Sequence, residues 1–253
     1  MLRVRRHDRA ISDDSDLVWL IHVHREQAEI AWCLRHLRAH YPRARVVVIN
    51  DGDGMDYERV LQPFKVHYIN GTHLHHLSTC HLYIRRFCEA MLEGSEEYCI
   101  KIDPDTKIWR RLSYLPDMSS IFGSVETTTE AGRQKIAPPA NVQGGFIGCT
   151  RDVIRDILDS PQLSADACTR KCFRTWARAG DMVSVVAAAR FSDDFLLSWL
   201  AGQCGVIPLE LREVCSNWRR PPDNSDGRFA VTHPHKLSER RVKRTGIVGD
   251  RVC

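Results

Sequence analysis

At 253 residues, 43% hydrophobic and 27% charged, the chain can bury one sizeable core, and its composition excludes wholesale disorder. A formal net charge of +4 with His neutral is too small by itself to imply nucleic-acid binding, while it suits an enzyme that attracts a polyanionic substrate. The ten Cys are scattered rather than framed as a small disulfide scaffold, so they read as reduced core thiols. Cys168 and Cys172 make the only local pair, and no His lies near them in sequence to complete a zinc site.

Residues 1–16 are polar and read as a flexible lead-in. The first apolar run, Leu17–Val23, is too short to span a bilayer, which takes ~20 apolar residues, and it lies too far from the start for a secretory signal. The expectation is therefore a soluble, cytoplasmic protein with no membrane span. Leu17–Val23 reads as a buried strand, and 26–40 as a helix with Ile30, Leu34 and Leu37 on one face. Val46, Val47, Val48 and Ile49 form a second buried strand that stops at Asp51-Gly52-Asp53-Gly54. A third strand is predicted over 64–69, a helix over 81–92, and a fourth strand over Tyr98–Ile102, leading into Asp103-Pro104-Asp105. This alternation predicts an α/β fold: one Rossmann-like domain over 17–236, with a mainly parallel central sheet and helices on both faces.

The second half is less regular. A short strand is expected at Phe146–Cys149, a helix at 151–158, helix without clear register over 162–190, another helix around Phe195–Leu200 and a strand near 206–209. From Arg219 the chain reads as polar loop, with 237–253 as a tail.

Ligands of such sheets bind beyond the C-terminal strand ends, and both acidic loops, Asp51–Asp53 and Asp103–Asp105, fall there. Two carboxylates one residue apart can both reach one hard cation, and Mn²⁺ or Mg²⁺ accepts carboxylate and phosphate oxygens together. An ion there would offset charge building on a leaving diphosphate. A solvated turn is the plainer account of an Asp-Pro-Asp sequence. Ile102-Asp103-Pro104-Asp105-Thr106 also fits the signature of the haloacid-dehalogenase-like phosphatases, in which Asp103 would be a nucleophile. That signature normally follows a first strand, and here three strand candidates precede it.

Several segments together resemble GT-A glycosyltransferases of the family 2 type. Val46-Val47-Val48-Ile49-Asn50-Asp51-Gly52-Asp53 is similar to the strand and Asp-Asp-Gly-Ser element of that family, with Asn50 departing from it. Asp103-x-Asp105 matches the metal-binding DxD. Gln143-Gly144-Gly145-Phe146 resembles the segment lining the donor-sugar and acceptor pocket. Ser192-Asp193-Asp194-Phe195-Leu196-Leu197-Ser198 resembles the Glu-Asp motif that supplies the base of inverting members, with Asp193 in place of Glu. His233-Pro234-His235-Lys236 is loosely similar to the C-terminal element that completes the metal shell and touches the diphosphate.

The resemblance implies a nucleotide-diphosphate sugar donor, with UDP or dTDP types favoured by Asp51, and an acceptor hydroxyl of unknown identity. It implies a metal on Asp103, Asp105 and one of His233 and His235, with His233 preferred. It further implies donor contacts from His22, Asp51, Asp53, Asp103, Gly144, Gly145 and Lys236, and a base among Asp193 and Asp194, with Asp194 preferred. A module of the same fold that binds nucleotide or glycan without catalysis is a third reading. Sugar-1-phosphate nucleotidyltransferases share the architecture but carry a Gly-rich loop after the first strand, where this chain has His22-Val23-His24-Arg25. His73, His75, His76 and His81 with Cys80 form a cluster whose spacing fits no standard metal site. Trp19, Trp32 and Trp199 are expected in the core.

Overall fold

The computed structural model describes residues 8–11, 13–74, 79–127, 140–165, 193–216 and 222–235. Twelve strands and five α-helices are described. Strand β1 (Asp8–Ala10) leads through a 3-10 turn (Asp14–Asp16) to β2 (Leu17–Val23), which helix α1 (Gln27–His40) joins to β3 (Arg45–Asn50). Then come α2 (Glu58–Leu61), β4 (His67–Asn70), α3 (Cys80–Leu92), β5 (Tyr98–Ile102), β6 (Lys107–Ile108), β7 (Tyr114–Pro116), β8 (Ile121–Thr127) and β9 (Ala140–Thr150). Helices α4 (Arg151–Asp159) and α5 (Asp193–Gln203) and strands β10 (Leu209–Glu210), β11 (Val214–Ser216) and β12 (Val231–His233) follow.

The central sheet has seven strands in the order β10-β8-β9-β5-β2-β3-β4. The run β5-β2-β3-β4 is parallel, β9 lies antiparallel between β5 and β8, and β10 joins β8 in parallel. Alternate residues of the buried strands serve opposite faces. Val18, Leu20, Val47 and Ile49 pack with Ile84, Phe87, Cys88 and Met91 of α3 and with α4 and α5. Trp19, Ile21, Val46, Val48, Ile100 and Ile102 pack on the other face with Ile30, Cys33, Leu34 and Leu37 of α1. Helices α1 and α3 present these residues at three- and four-residue spacing, as sheet-covering helices do, whereas α5 is buried continuously over Leu196–Ala201. With both faces covered, β2, β3 and β5 can be mostly apolar, the exceptions lying chiefly toward their ends.

The antiparallel half departs from the sequence expectation. The strand expected at Phe146–Cys149 is part of an eleven-residue strand, and its partner β8 carried no clear signal. The expected third strand starts later, at His67, because Gln62–Phe64 forms a 3-10 turn. Residues 8–16, read as a flexible lead-in, contribute β1, which pairs with β7, and the buried Asp14, whose Oδ2 accepts the Arg43 amide at 2.8 Å. The polar stretch after Arg219 includes β12, which joins β11 and β6 in a small sheet. The helical reading of 162–190 lies almost wholly outside the described residues, as do Cys168, Cys172 and the tail 237–253. Among the described residues no helix is long and apolar enough to cross a membrane.

Candidate active site

The C-terminal edge of β2, β3 and β5 forms the floor of a cleft of about 870 Å³. Strand β9 runs antiparallel to β5, with Phe146 opposite Ile102, so Gly144 and Gly145 reach that edge beside Asp103. Helix α5 starts at the same place and puts Asp193 and Asp194 on the wall. The small sheet closes the remaining side. Strand β6 follows directly from the Asp103–Asp105 turn, and its antiparallel pairing with β12 sets Thr232 opposite Lys107. That register returns His233 to Asp105, although the two are far apart in sequence.

Asp103, Asp105 and His233 each place a ligand atom within 4.8 Å of the others. His233 Nε2 is 3.3 Å from Asp103 Oδ2 and 3.1 Å from Asp105 Oδ1. The other ring nitrogen, Nδ1, is 3.1 Å from Ser216 Oγ at the end of β11. For Nε2 to offer its lone pair to a cation, Nδ1 must carry the proton and donate it to Ser216, the usual support of a metal-binding imidazole. His235 plays a different part: it is buried, its Nε2 is 2.7 Å from Thr232 Oγ1, and its amide donates to Asp105 O. The donor set of two carboxylates and one imidazole fits a divalent ion of intermediate hardness such as Mn²⁺.

Beneath this group lies Lys101, which the sequence reading passed over. Its Nζ is buried and donates to Asp103 Oδ1 at 2.7 Å and to Gly144 O at 2.8 Å, and it is 3.0 Å from Asp193 Oδ2. Burial alone would lower its pKa, but Asp103 and Asp193 outweigh burial and the value is raised, so the ammonium persists. The one charged residue in an otherwise apolar strand was the available signal. Asp194 is held differently: its Oδ2 accepts the Gly144 amide at 3.2 Å. Glu26 and Glu29 also line the cleft. Burial, then the charges of Asp103 and Asp105, raise the Glu26 carboxyl.

The opposite wall holds His22, Asp51 and Tyr83. The His22 ring stacks on Tyr83 with centroids 4.1 Å apart, and both its nitrogens are buried without hydrogen-bond partners. Burial, followed by the nearby Arg86 and Lys101 charges, pushes its pKa well below the usual imidazole value, so the ring is neutral. Asp51 is 9% exposed, and its Oδ1 accepts from Arg86 Nη2 at 2.6 Å and from the Leu74 amide at 3.1 Å. Gly52, at φ +68°, lets the loop pass against His73, whose amide nitrogen would be 2.4 Å from a Cβ there.

Asp53 is not among the cleft-lining residues. Its carboxylate organises the loop, accepting the Arg25 amide, the Met55 amide at 2.8 Å and the Tyr57 hydroxyl at 2.7 Å. Lys236, Trp176, Trp218, Arg219 and Arg220 lie outside the described residues, as do His75 and His76. Of the described members of the histidine cluster, Cys80 is buried at the start of α3 and His73 faces Asp51. Trp19 and Trp199 are buried as expected, whereas Trp32 is only partly covered, beside His36 and His235.

The mixed central sheet with helices on both faces is that of the GT-A type of nucleotide-sugar transferase fold. Among solved structures, the chain is similar to the galactosyltransferase LgtC in complex with donor and acceptor sugar analogs. That match has a TM-score of 0.57 and 13% identity, over 93% of this chain and 97% of that one. It is also similar to the mannosyltransferase PcManGT from Pyrobaculum calidifontis in complex with GDP-Man and Mn²⁺, with a TM-score of 0.43 and 12% identity. There the match takes in 68% of this chain but spans only 56% of the mannosyltransferase. No protein-family model matches the sequence, and no curated protein sequence does.

Proposed function

We propose that the protein is a hexosyltransferase that moves a sugar from a nucleotide-diphosphate donor, of the UDP or dTDP type, to an acceptor hydroxyl. The observation that carries this reading is the convergence of Asp103, Asp105 and His233 from β5, the turn after it and β12 in one cleft of a GT-A fold. These three residues would hold the divalent ion, Mn²⁺ or Mg²⁺, whose charge would stabilise the departing diphosphate.

The chain's own groups supply the rest. Lys101 fixes Asp103 through Oδ1 and leaves Oδ2 on the His233 side. The neutral His22, stacked on Tyr83, lines the wall of the cleft that the donor would occupy. Asp51 faces the nucleobase end, where a carboxylate accepts the imino N–H of a uracil-type base. Asp194, at the first turn of α5, is held ionised by the helix dipole and takes the acceptor proton, with inversion at the anomeric carbon.

Calorimetry tests the reading. Uridine diphosphate should bind in Mn²⁺ and lose most of its affinity without the ion or in Asp105→Asn. Equal affinity in the two proteins with Mn²⁺ present would overturn it. The phosphatase reading makes Asp103 a nucleophile instead, and hydrolysis of a generic aryl phosphate through an Asp103 adduct would establish it.

A further inference from the structure

The wall of the cleft away from Asp103 carries a second group of metal-ligating side chains: His24 after β2, Asp51 after β3 and His73 after β4. One ligand atom of each lies within 4.8 Å of the others. His73 Nδ1 is 3.0 Å from Asp51 O and 3.2 Å from Asp51 Oδ2, so it carries the proton and leaves the lone pair on Nε2, and the His24 and His73 ring centroids are 5.2 Å apart. Asp51 is pinned through its other oxygen by Arg86 and the Leu74 amide. Nδ1 of His24 is buried and has no hydrogen-bond partner, a cost that a bound ligand would remove.

We infer that His24, Asp51 and His73 form a second cation site, selective for a nitrogen-favouring ion such as Zn²⁺. Two imidazoles and one carboxylate with a fourth position left to water is an ordinary zinc arrangement. Arg86 shares the carboxylate, which works against a hard ion held by charge alone. Bonds from imidazole nitrogen depend less on that charge, so the site discriminates against Mg²⁺ and Ca²⁺. The Asp103 group, with two carboxylates and one imidazole, has the opposite bias. Under the proposed function Asp51 also receives the nucleobase, and on that reading zinc and nucleotide compete.

Cobalt(II), a visible stand-in for zinc, can be titrated into Asp105→Asn, where the first group is disabled. A single equivalent should give a visible absorption band and be displaced by Zn²⁺. Affinity should fall by at least about 10-fold, the loss that even an outer-shell change can cause, when His73→Ala or His24→Ala is added. His73 is exposed, so the His73→Ala protein should keep its near-ultraviolet circular dichroism and any loss is local. No cobalt band in Asp105→Asn, or one unchanged by both histidine variants, would overturn the site. Competition is read separately: zinc should raise the dissociation constant of uridine diphosphate measured in Mn²⁺. Zinc that binds through His24 and His73 without moving that constant would support the site and overturn only the placement of the base on Asp51.

Discussion

A Cβ on Gly145 would lie 2.1 Å from both Cγ and Nδ1 of the His233 ring. The imidazole is packed directly on the β9 backbone, and Ser216 Oγ lies 3.1 Å from its Nδ1. A rigid ring cannot yield that space as a flexible side chain can. Gly145→Ala should therefore push His233 off Asp103 and Asp105 and weaken Mn²⁺ binding by about 10–100-fold, the cost of disturbing a ligand's support. Overpacking should also lower stability by about 1–3 kcal/mol. Mn²⁺ titration followed by electron paramagnetic resonance, beside denaturant unfolding, reads both. A folded variant with unchanged Mn²⁺ affinity would remove His233 from the metal group.

Stability offers a check on the fold away from the cleft. Tyr41 is buried at the end of α1, 5.0 Å from Trp19 between ring centroids, with the Arg111 guanidinium 4.8 Å above its ring. Its hydroxyl accepts the buried amide of Leu112 at 2.7 Å. Tyr41→Phe keeps the ring packing and leaves that amide without this acceptor. The expected loss is about 1–3 kcal/mol, the penalty for an unsatisfied buried donor, read by urea unfolding. A loss near zero would mean that water replaces the hydroxyl.

The parallel half of the fold was legible because burial on both faces makes strands mostly apolar, and the bounds of Tyr98–Ile102 match the expectation. The antiparallel half was harder to read. Gly144, Gly145 and Gly148 break the strand signal of β9, and in the structure those positions admit other groups: a Cβ on Gly148 would meet the Phe122 ring at 2.1 Å. The resemblance sets Gly144 and Gly145 along the donor pocket, and in the structure the missing Cβ of Gly145 also makes room for the His233 ring. Strand β12 is only three residues long and carries no periodicity, so the return of His233 to Asp105 rested on resemblance alone. Lys101 and the pairing of Asp51 with Arg86 are contacts across strands and helices, which local pattern cannot report.

Asp51 carries a prediction about the base. Asp51→Ala should weaken uridine diphosphate binding by about 1–3 kcal/mol, as expected for a hydrogen bond to a charged group. Because Asp51 also holds Arg86 and the Leu74 amide, weaker binding alone would be ambiguous. The decisive reading is selectivity: the variant should bind uridine and adenosine diphosphates alike. A preference for uridine that survives the substitution would place base recognition elsewhere.

The last prediction separates the neighbours Asp193 and Asp194. Asp193 Oδ2 is 3.0 Å from the buried Lys101 ammonium, which also holds Asp103. That ion pair engages Asp193 in holding Lys101 and, through it, Asp103. Asp194 accepts the amide of Gly144, which restrains its position on the cleft wall. Asp194→Asn should therefore keep nucleotide binding and lower the transfer step by ~10²–10⁴-fold, the usual worth of a positioned base. Asp193→Asn should act on stability, because it leaves Lys101 buried with one carboxylate fewer, and transfer should persist in the folded fraction. The reverse pattern would move the base to Asp193 and make Lys101 part of its tuning. Product analysis by proton magnetic resonance supplies the independent reading, since a base on the acceptor implies inversion in a single displacement. A product that keeps the donor's anomeric configuration would remove the need for either carboxylate as that base.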